Sequence, residues 1–125
     1  METVPRKAGV YFVYCPRTDL IKIGKANNIR SRIELSPIGL PTLKDHYHQD
    51  LRFLGWIPSQ FPRKLEHEIQ SSFANLRREY PFLNSDGQMP EGCTEWYARD
   101  GGEILGFLMQ FGILIEPLYL VEAVF

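Results

Sequence analysis

GVYFVYCPRTDLIKIG, residues Gly9 to Gly24, holds two apolar runs on either side of a short polar one. Gly9 to Cys15 is β-branched and aromatic and reads as a strand. Pro16 to Asp19 has the composition of a turn, and Leu20 to Gly24 reads as a second strand, so the stretch predicts an antiparallel hairpin. With the turn centred between Arg17 and Thr18, Cys15 lies opposite Leu20. Side chains alternate across a strand, so Tyr11, Val13, Lys22 and Gly24 then share one face and Tyr14 takes the other. A slip of one residue would separate Tyr11 from Lys22.

Working outward, Asn27 or Asn28 can cap a short helix running to about Leu35, which Pro37 to Pro41 would end. Gln49 to Ile57 contains a third strand. Ser59 to about Leu76 reads as the best helix, with Pro62 suited to its first turn. Leu65, Ile69, Phe73 and Leu76 mark its buried face. At about 100° per residue, Glu66 and Gln70 flank that face, Glu68 lies on the opposite flank and His67 points outward. Tyr80 to Gly92 reads as a loop, Glu95 to Ala98 as a short strand or turn, Glu103 to Phe111 as a helix, and Leu118 to Phe125 as a last strand. The expected fold is α+β: a small central three-stranded antiparallel sheet flanked by helices, with a C-terminal helix–strand extension. One domain is expected over residues 1–125, with a core at 9–98 and the extension at 99–125.

Composition narrows the function classes. The 125 residues are 44% hydrophobic and 23% charged, ordinary for a globular protein. Fourteen Lys and Arg against 15 Asp and Glu leave a net charge of -1, so any affinity for nucleic acid must come from a local basic patch. No apolar run follows the charged start in the manner of a signal peptide. The apolar stretch from Ile104 to Val124 is broken by Gln110, Gly112, Glu116, Pro117 and Glu122, so no membrane span is expected. Cys15 and Cys93 are expected as free thiols in a reducing cytoplasm. His46, His48 and His67 with either cysteine lack the spacing of a zinc site.

Gly24 to Ile33, GKANNIRSRI, places Lys25, Arg30 and Arg32 directly after a strand, where a basic segment at a helix start suits a phosphate. Glu66, at the margin of a buried helix face, can be partly dry and still reach a metal. Taken singly, each feature is also what a solvated helix or an ordinary surface carboxylate looks like.

Together they resemble the GIY-YIG nuclease superfamily. Gly9-Val10-Tyr11, then ten residues, then Lys22-Ile23-Gly24 is similar to the two triads of that family. IGKANNIRSRI resembles the segment after the second triad in the nuclease domain of the bacterial excision-repair incision protein, with Arg32 eight residues after the triad glycine, where the family has its arginine. Leu65-Glu66, followed by Ile69 and Phe73, resembles the family's Leu-Glu helix. The nearest branch, typified by a phage open-reading-frame protein, often has KIG for YIG. It carries a Glu-x-x-x-His-x-x-Phe helix, then an arginine, then Glu-Trp-Phe. Here Glu66, Gln70 and Phe73 occupy the helix, Arg77 or Arg78 follows, and Glu95-Trp96-Tyr97 matches the last motif. Gln70 departs from the branch's histidine, and a glutamine cannot shuttle protons near neutral pH.

The resemblance implies a metal-dependent endonuclease that hydrolyses DNA phosphodiester bonds. Tyr11 would deprotonate or orient the attacking water, Arg32 would clamp a phosphate oxygen, Lys22 would contact phosphate, and Glu66 would hold one Mg²⁺ or Mn²⁺. Lys25, Arg30, Gln70, Arg77 and Trp96 would contact the DNA, although a core position around Phe73 is the preferred reading of Trp96 and Tyr97. Two further readings are a DNA-binding module of the same fold without turnover, and a protein-interaction domain, including a homodimer, using the apolar C-terminal segment.

Overall fold

The computed structural model describes residues 7–28, 51–81, 87 and 95–111. The predicted first helix and last strand lie outside these residues, as do Arg30, Arg32, His46, His48, Cys93 and the segment 112–125.

The hairpin forms in the predicted register. Strand β1, Gly9–Cys15, pairs antiparallel with β2, Leu20–Ala26, with Cys15 opposite Leu20, Val13 opposite Lys22 and Tyr11 opposite Gly24. Strand β3, Arg52–Pro58, lies along the other side of β1. The register shifts between Phe12 and Val13, whose partners are Gly55 and Phe53, so Leu54 is the extra residue of a bulge. The bulge brings Phe53 and Trp56, three apart, onto the same face, where their rings stack at 5.9 Å.

β4 is Arg77–Arg78 and β5 is Trp96–Ala98. Among the described residues the sheet is five-stranded, ordered β3-β1-β2-β5-β4, and all its pairings are antiparallel. This corrects the three-stranded expectation within the α+β class. β5 joins β2 through Leu20, Ile21 and Lys22, and β4 joins β5. Strands of two and three residues are too short to show an alternation in sequence, which is why they escape a periodicity reading.

Helix α1 is Pro62–Ser72. It starts later than Ser59 because the residue before a proline is pushed out of the α region, and Phe61 sits at φ −126°, ψ 67°. It tightens after Ser72 into a 3₁₀ turn at Ala74–Leu76, which keeps Phe73 and Leu76 on the buried side. Helix α2, Glu103–Gln110, follows Gly101 and Gly102, both left-handed at φ 78° and 72°. Both helices pack on one face of the sheet. There Val10, Phe12, Tyr14, Ile21 and Ile23 meet Ile69, Phe73, Ile104, Leu105 and Leu108. The opposite face gathers Tyr11, Val13, Cys15, Leu20 and Ala26 with Leu51, Tyr80 and Trp96. Cys15 is a free, buried thiol.

The β1–β2 turn is locked from a distance. Asp19 has φ 59°, a left-handed conformation that aspartate tolerates better than most residues. Its backbone N–H donates to the Cys15 carbonyl at 2.9 Å. Its carboxylate accepts from the Tyr14 hydroxyl at 2.7 Å and from both Nε and Nη2 of the buried Arg99, the latter at 2.9 Å. Burial and the neighbouring Asp19 carboxylate hold the Tyr14 phenol above its ordinary range, so it stays a donor. Replacing Asp19 by Ala strains the turn and removes the carboxylate to which the buried Arg99 donates. We expect Asp19→Ala to lose about 2 kcal/mol in urea unfolding, below the full cost of opening a buried pair because the Asp19 side chain is 39% exposed. Asp19→Asn, which keeps an acceptor and tolerates the turn, should lose less. An Asp19→Ala protein as stable as the wild type would remove the lock from the account.

Candidate functional site

The sequence of β2 leaves a problem that α1 solves. β5 accompanies β2 only from Leu20 to Lys22, and the Ile23 N–H donates to the Glu95 carbonyl at 3.1 Å. The next outward-facing groups, the Ile23 carbonyl and the Lys25 N–H, meet side chains of α1. Gln70 Nε2 donates to the Ile23 carbonyl at 2.9 Å. The Lys25 N–H faces the Glu66 carboxylate and favours its charged form. Glu66 and Gln70 are one helical turn apart, and their two acceptor and donor groups match alternate residues of the strand. Gln70 is therefore seated on the backbone of β2.

On the sheet face opposite α1, the Tyr11 ring crosses Gly24. A Cβ built at Gly24 would lie 2.5 Å from both Cζ and the hydroxyl oxygen of Tyr11, closer than any Cβ contact allows. Gly24 is thus required by the phenol above it. Lys22 is buried on the same face, with Nζ 5.5 Å from the centre of the Tyr11 ring. Its ammonium donates to Glu95 Oε2 at 2.5 Å. The phosphate contact expected of Lys22 would have to be made by an ammonium that is buried, lies beside Tyr11 and already donates to Glu95.

Glu66 is half-buried. Desolvation pushes its carboxyl above the ordinary range, and the charge of Glu95 pushes it the same way. Lys25, Lys22 and the Lys25 N–H oppose the shift without cancelling it. A divalent cation fits this donor chemistry, since it would offset both desolvation and carboxylate repulsion. Among the described residues no three His, Cys, Asp or Glu side chains gather to form a cage. One carboxylate with retained waters is a coordination style of Mg²⁺.

Of the remaining predicted residues, Lys25 is exposed beside α1, and Arg77 is exposed on β4 with Nη2 3.4 Å from the Tyr97 hydroxyl. Trp96 is wholly buried, its ring centroid 4.8 Å from that of Tyr80, so it occupies the core and has no open face for a base. Arg30 and Arg32 lie outside the described residues. Tyr11, Lys22, Glu66 and Gln70 are brought to one short length of β2, Lys22 to Lys25. Glu95 is the member that sequence reasoning missed as a partner for Lys22. It precedes a three-residue strand, and only the pairing of Trp96 with Lys22 reveals its place. No protein-family model, curated protein or solved structure matches the chain.

Two outcomes follow from this geometry. Gly24→Ala forces the Tyr11 ring aside and should cost about 1–3 kcal/mol. Adding Tyr11→Leu should make the pair lose less than the sum of the two single changes, by about 1 kcal/mol; strict additivity would mean the ring and Gly24 are not coupled. Glu66 works against the fold when ionised. Its folded pKa is raised, so the penalty is absent below the ordinary carboxylate range and sets in as pH rises through the folded value. In metal-free buffer, Glu66→Gln should therefore melt higher than wild type near neutral pH and at the same temperature near pH 4. A lower melting temperature at neutral pH would show that the carboxylate supports the fold.

Proposed function

We propose that the protein is a metal-dependent endonuclease acting on DNA, with a site of GIY-YIG type. The observation that carries this reading is the meeting of Tyr11, Lys22 and Glu66 at one length of β2. The Tyr11 hydroxyl accepts a hydrogen bond from the attacking water and sets its direction. Lys22 is a positioning residue, holding its charge beside the Tyr11 ring and fixing Glu95. Glu66 holds Mg²⁺ or Mn²⁺, which when bound supplies stabilisation of charge at the phosphate and the leaving 3′ oxygen. Arg32 clamps a non-bridging phosphate oxygen, and Lys25, Arg30 and Arg77 draw in the DNA backbone.

A second reading has its own observation. Gln70 stands where a titratable histidine would complete the related branch, and its amide is engaged with the Ile23 carbonyl. A DNA-binding module of this fold without turnover would have the same arrangement.

Supercoiled plasmid incubated with Mg²⁺ or Mn²⁺ separates the two. Wild type should nick it, and Glu66→Ala and Arg32→Ala should each lose about 100-fold or more in single-turnover rate. Tyr11→Phe should lose about 100-fold while keeping DNA affinity, because the missing hydroxyl acts on the chemical step. Tyr14→Phe, on the opposite face of β1, should stay within a few-fold of wild type. Robust cleavage by Glu66→Ala would sink the assignment of the metal carboxylate. Salt-sensitive binding with no cleavage in either metal would select the second reading.

A further inference from the structure

Lys25 also lines an open cleft of about 610 Å³, together with Asn27, Phe61, Arg63, Lys64 and His67. Two features of this cleft run against what the fold alone would choose. Phe61 is 69% exposed, although a phenylalanine gains by burial. The first turn of α1 carries Arg63 and Lys64 and no acidic residue, and Phe61 provides no side-chain cap. Cations in that position are disfavoured by the helix dipole. Among the described residues, Lys25, Arg63 and Lys64 have no carboxylate within ion-pair distance. In a chain of net charge -1, three cations around one exposed aromatic ring form a local exception.

We propose that this cleft seats an unpaired nucleotide of the DNA strand, with its base on the Phe61 ring and its flanking phosphates on Lys25, Arg63 and Lys64. The volume lies within the range of sites for ligands of that size. An aromatic platform beside cations is how proteins hold single strands, because every base has a stacking face and every linkage an anion. A base-paired nucleotide keeps its faces inside the duplex and cannot use Phe61. Lys25 connects the cleft to the site, since its charge and its backbone N–H both act on the Glu66 carboxylate. The inference deepens the nuclease reading and rests on it for the identity of the polymer. It makes the substrate a DNA with unpaired nucleotides beside the cut, such as a flap, bubble or branch.

The test is fluorescence anisotropy in EDTA with an oligothymidylate of about 12 nucleotides and a blunt duplex of the same length. Wild type should prefer the single strand. Phe61→Ala should weaken single-strand binding about tenfold with the salt dependence unchanged, and Phe61→Trp should restore it. Arg63→Ala with Lys64→Ala should weaken it and lower the salt slope by about 0.7 per cation removed. Phe61 is exposed, so its truncation leaves the core intact. Wild-type affinity in Phe61→Ala, a preference for the duplex, or equal competition by polyglutamate would each overturn the proposal. Because no metal is present, the two readings fail separately. Plasmid cleavage with a neutral Phe61→Ala removes the cleft and leaves the nuclease. Phe61-dependent binding with no cleavage in any metal removes the nuclease and leaves the cleft.

Discussion

A strand must satisfy the N–H and C=O groups along its edge, and in β2 the described neighbouring strand runs beside only the first part of that edge. From Ile23 onward the partners are the Glu95 carbonyl and the Gln70 amide, with the Glu66 carboxylate facing the Lys25 N–H. This single requirement fixes several things at once. It sets the distance of α1 from the sheet, the rotation of the helix about its axis, and the reach of two side chains one turn apart. A carboxylate seated this way is bound by backbone geometry while it remains half-exposed. Its ionisation is disfavoured by desolvation under the helix and by the charge of Glu95, and the Lys25 N–H at the strand edge works the other way.

The Tyr11–Gly24 contact is the second constraint, and it acts through the sheet rather than along its edge. In a regular pair, residues opposite each other carry side chains on the same face and share the space. Here one partner gives up its side chain entirely, and the phenol lies over the bare backbone. With Lys22 and Glu95 closing the other side, Tyr11 is held by packing on a rigid element, which is what a group that must direct a reactant needs.

The parts legible in the sequence were those with a period or a signature. The hairpin register followed from GVYFVYC and LIKIG around a four-residue turn, and with it the shared face of Tyr11 and Lys22 and the opposite face of Tyr14. The amphipathic spacing of Leu65, Ile69 and Phe73 placed Glu66 at the margin of α1, where it lies. What could not be read were contacts across long separations between short elements. Glu95 pairs with Lys22 at a separation of 73 residues, from a position just before a strand too brief to alternate. Trp96 was ambiguous between stacking and core because composition does not tell which side of a sheet is covered, and burial beneath Tyr80 decides for the core. The role of Gln70 as a strand-edge donor was likewise invisible, since helical spacing gives direction and not distance.

The lock on the β1–β2 turn bears on how the chain is made. The hairpin is local in sequence, but Arg99, which clamps Asp19, lies 80 residues further on. During synthesis the hairpin emerges from the ribosome long before its clamp, with a left-handed Asp19 held only by Tyr14 and the Cys15 carbonyl. The β1 edge can pair with β3 once residue 58 has emerged, but the β2 edge waits until the stretch around β5 is translated. Contacts of such separation slow folding and lengthen the interval in which open edges can pair with another chain. A nascent chain truncated before Arg99 would carry Tyr11 opposite Gly24, and yet be a seed for aggregation rather than a finished fold.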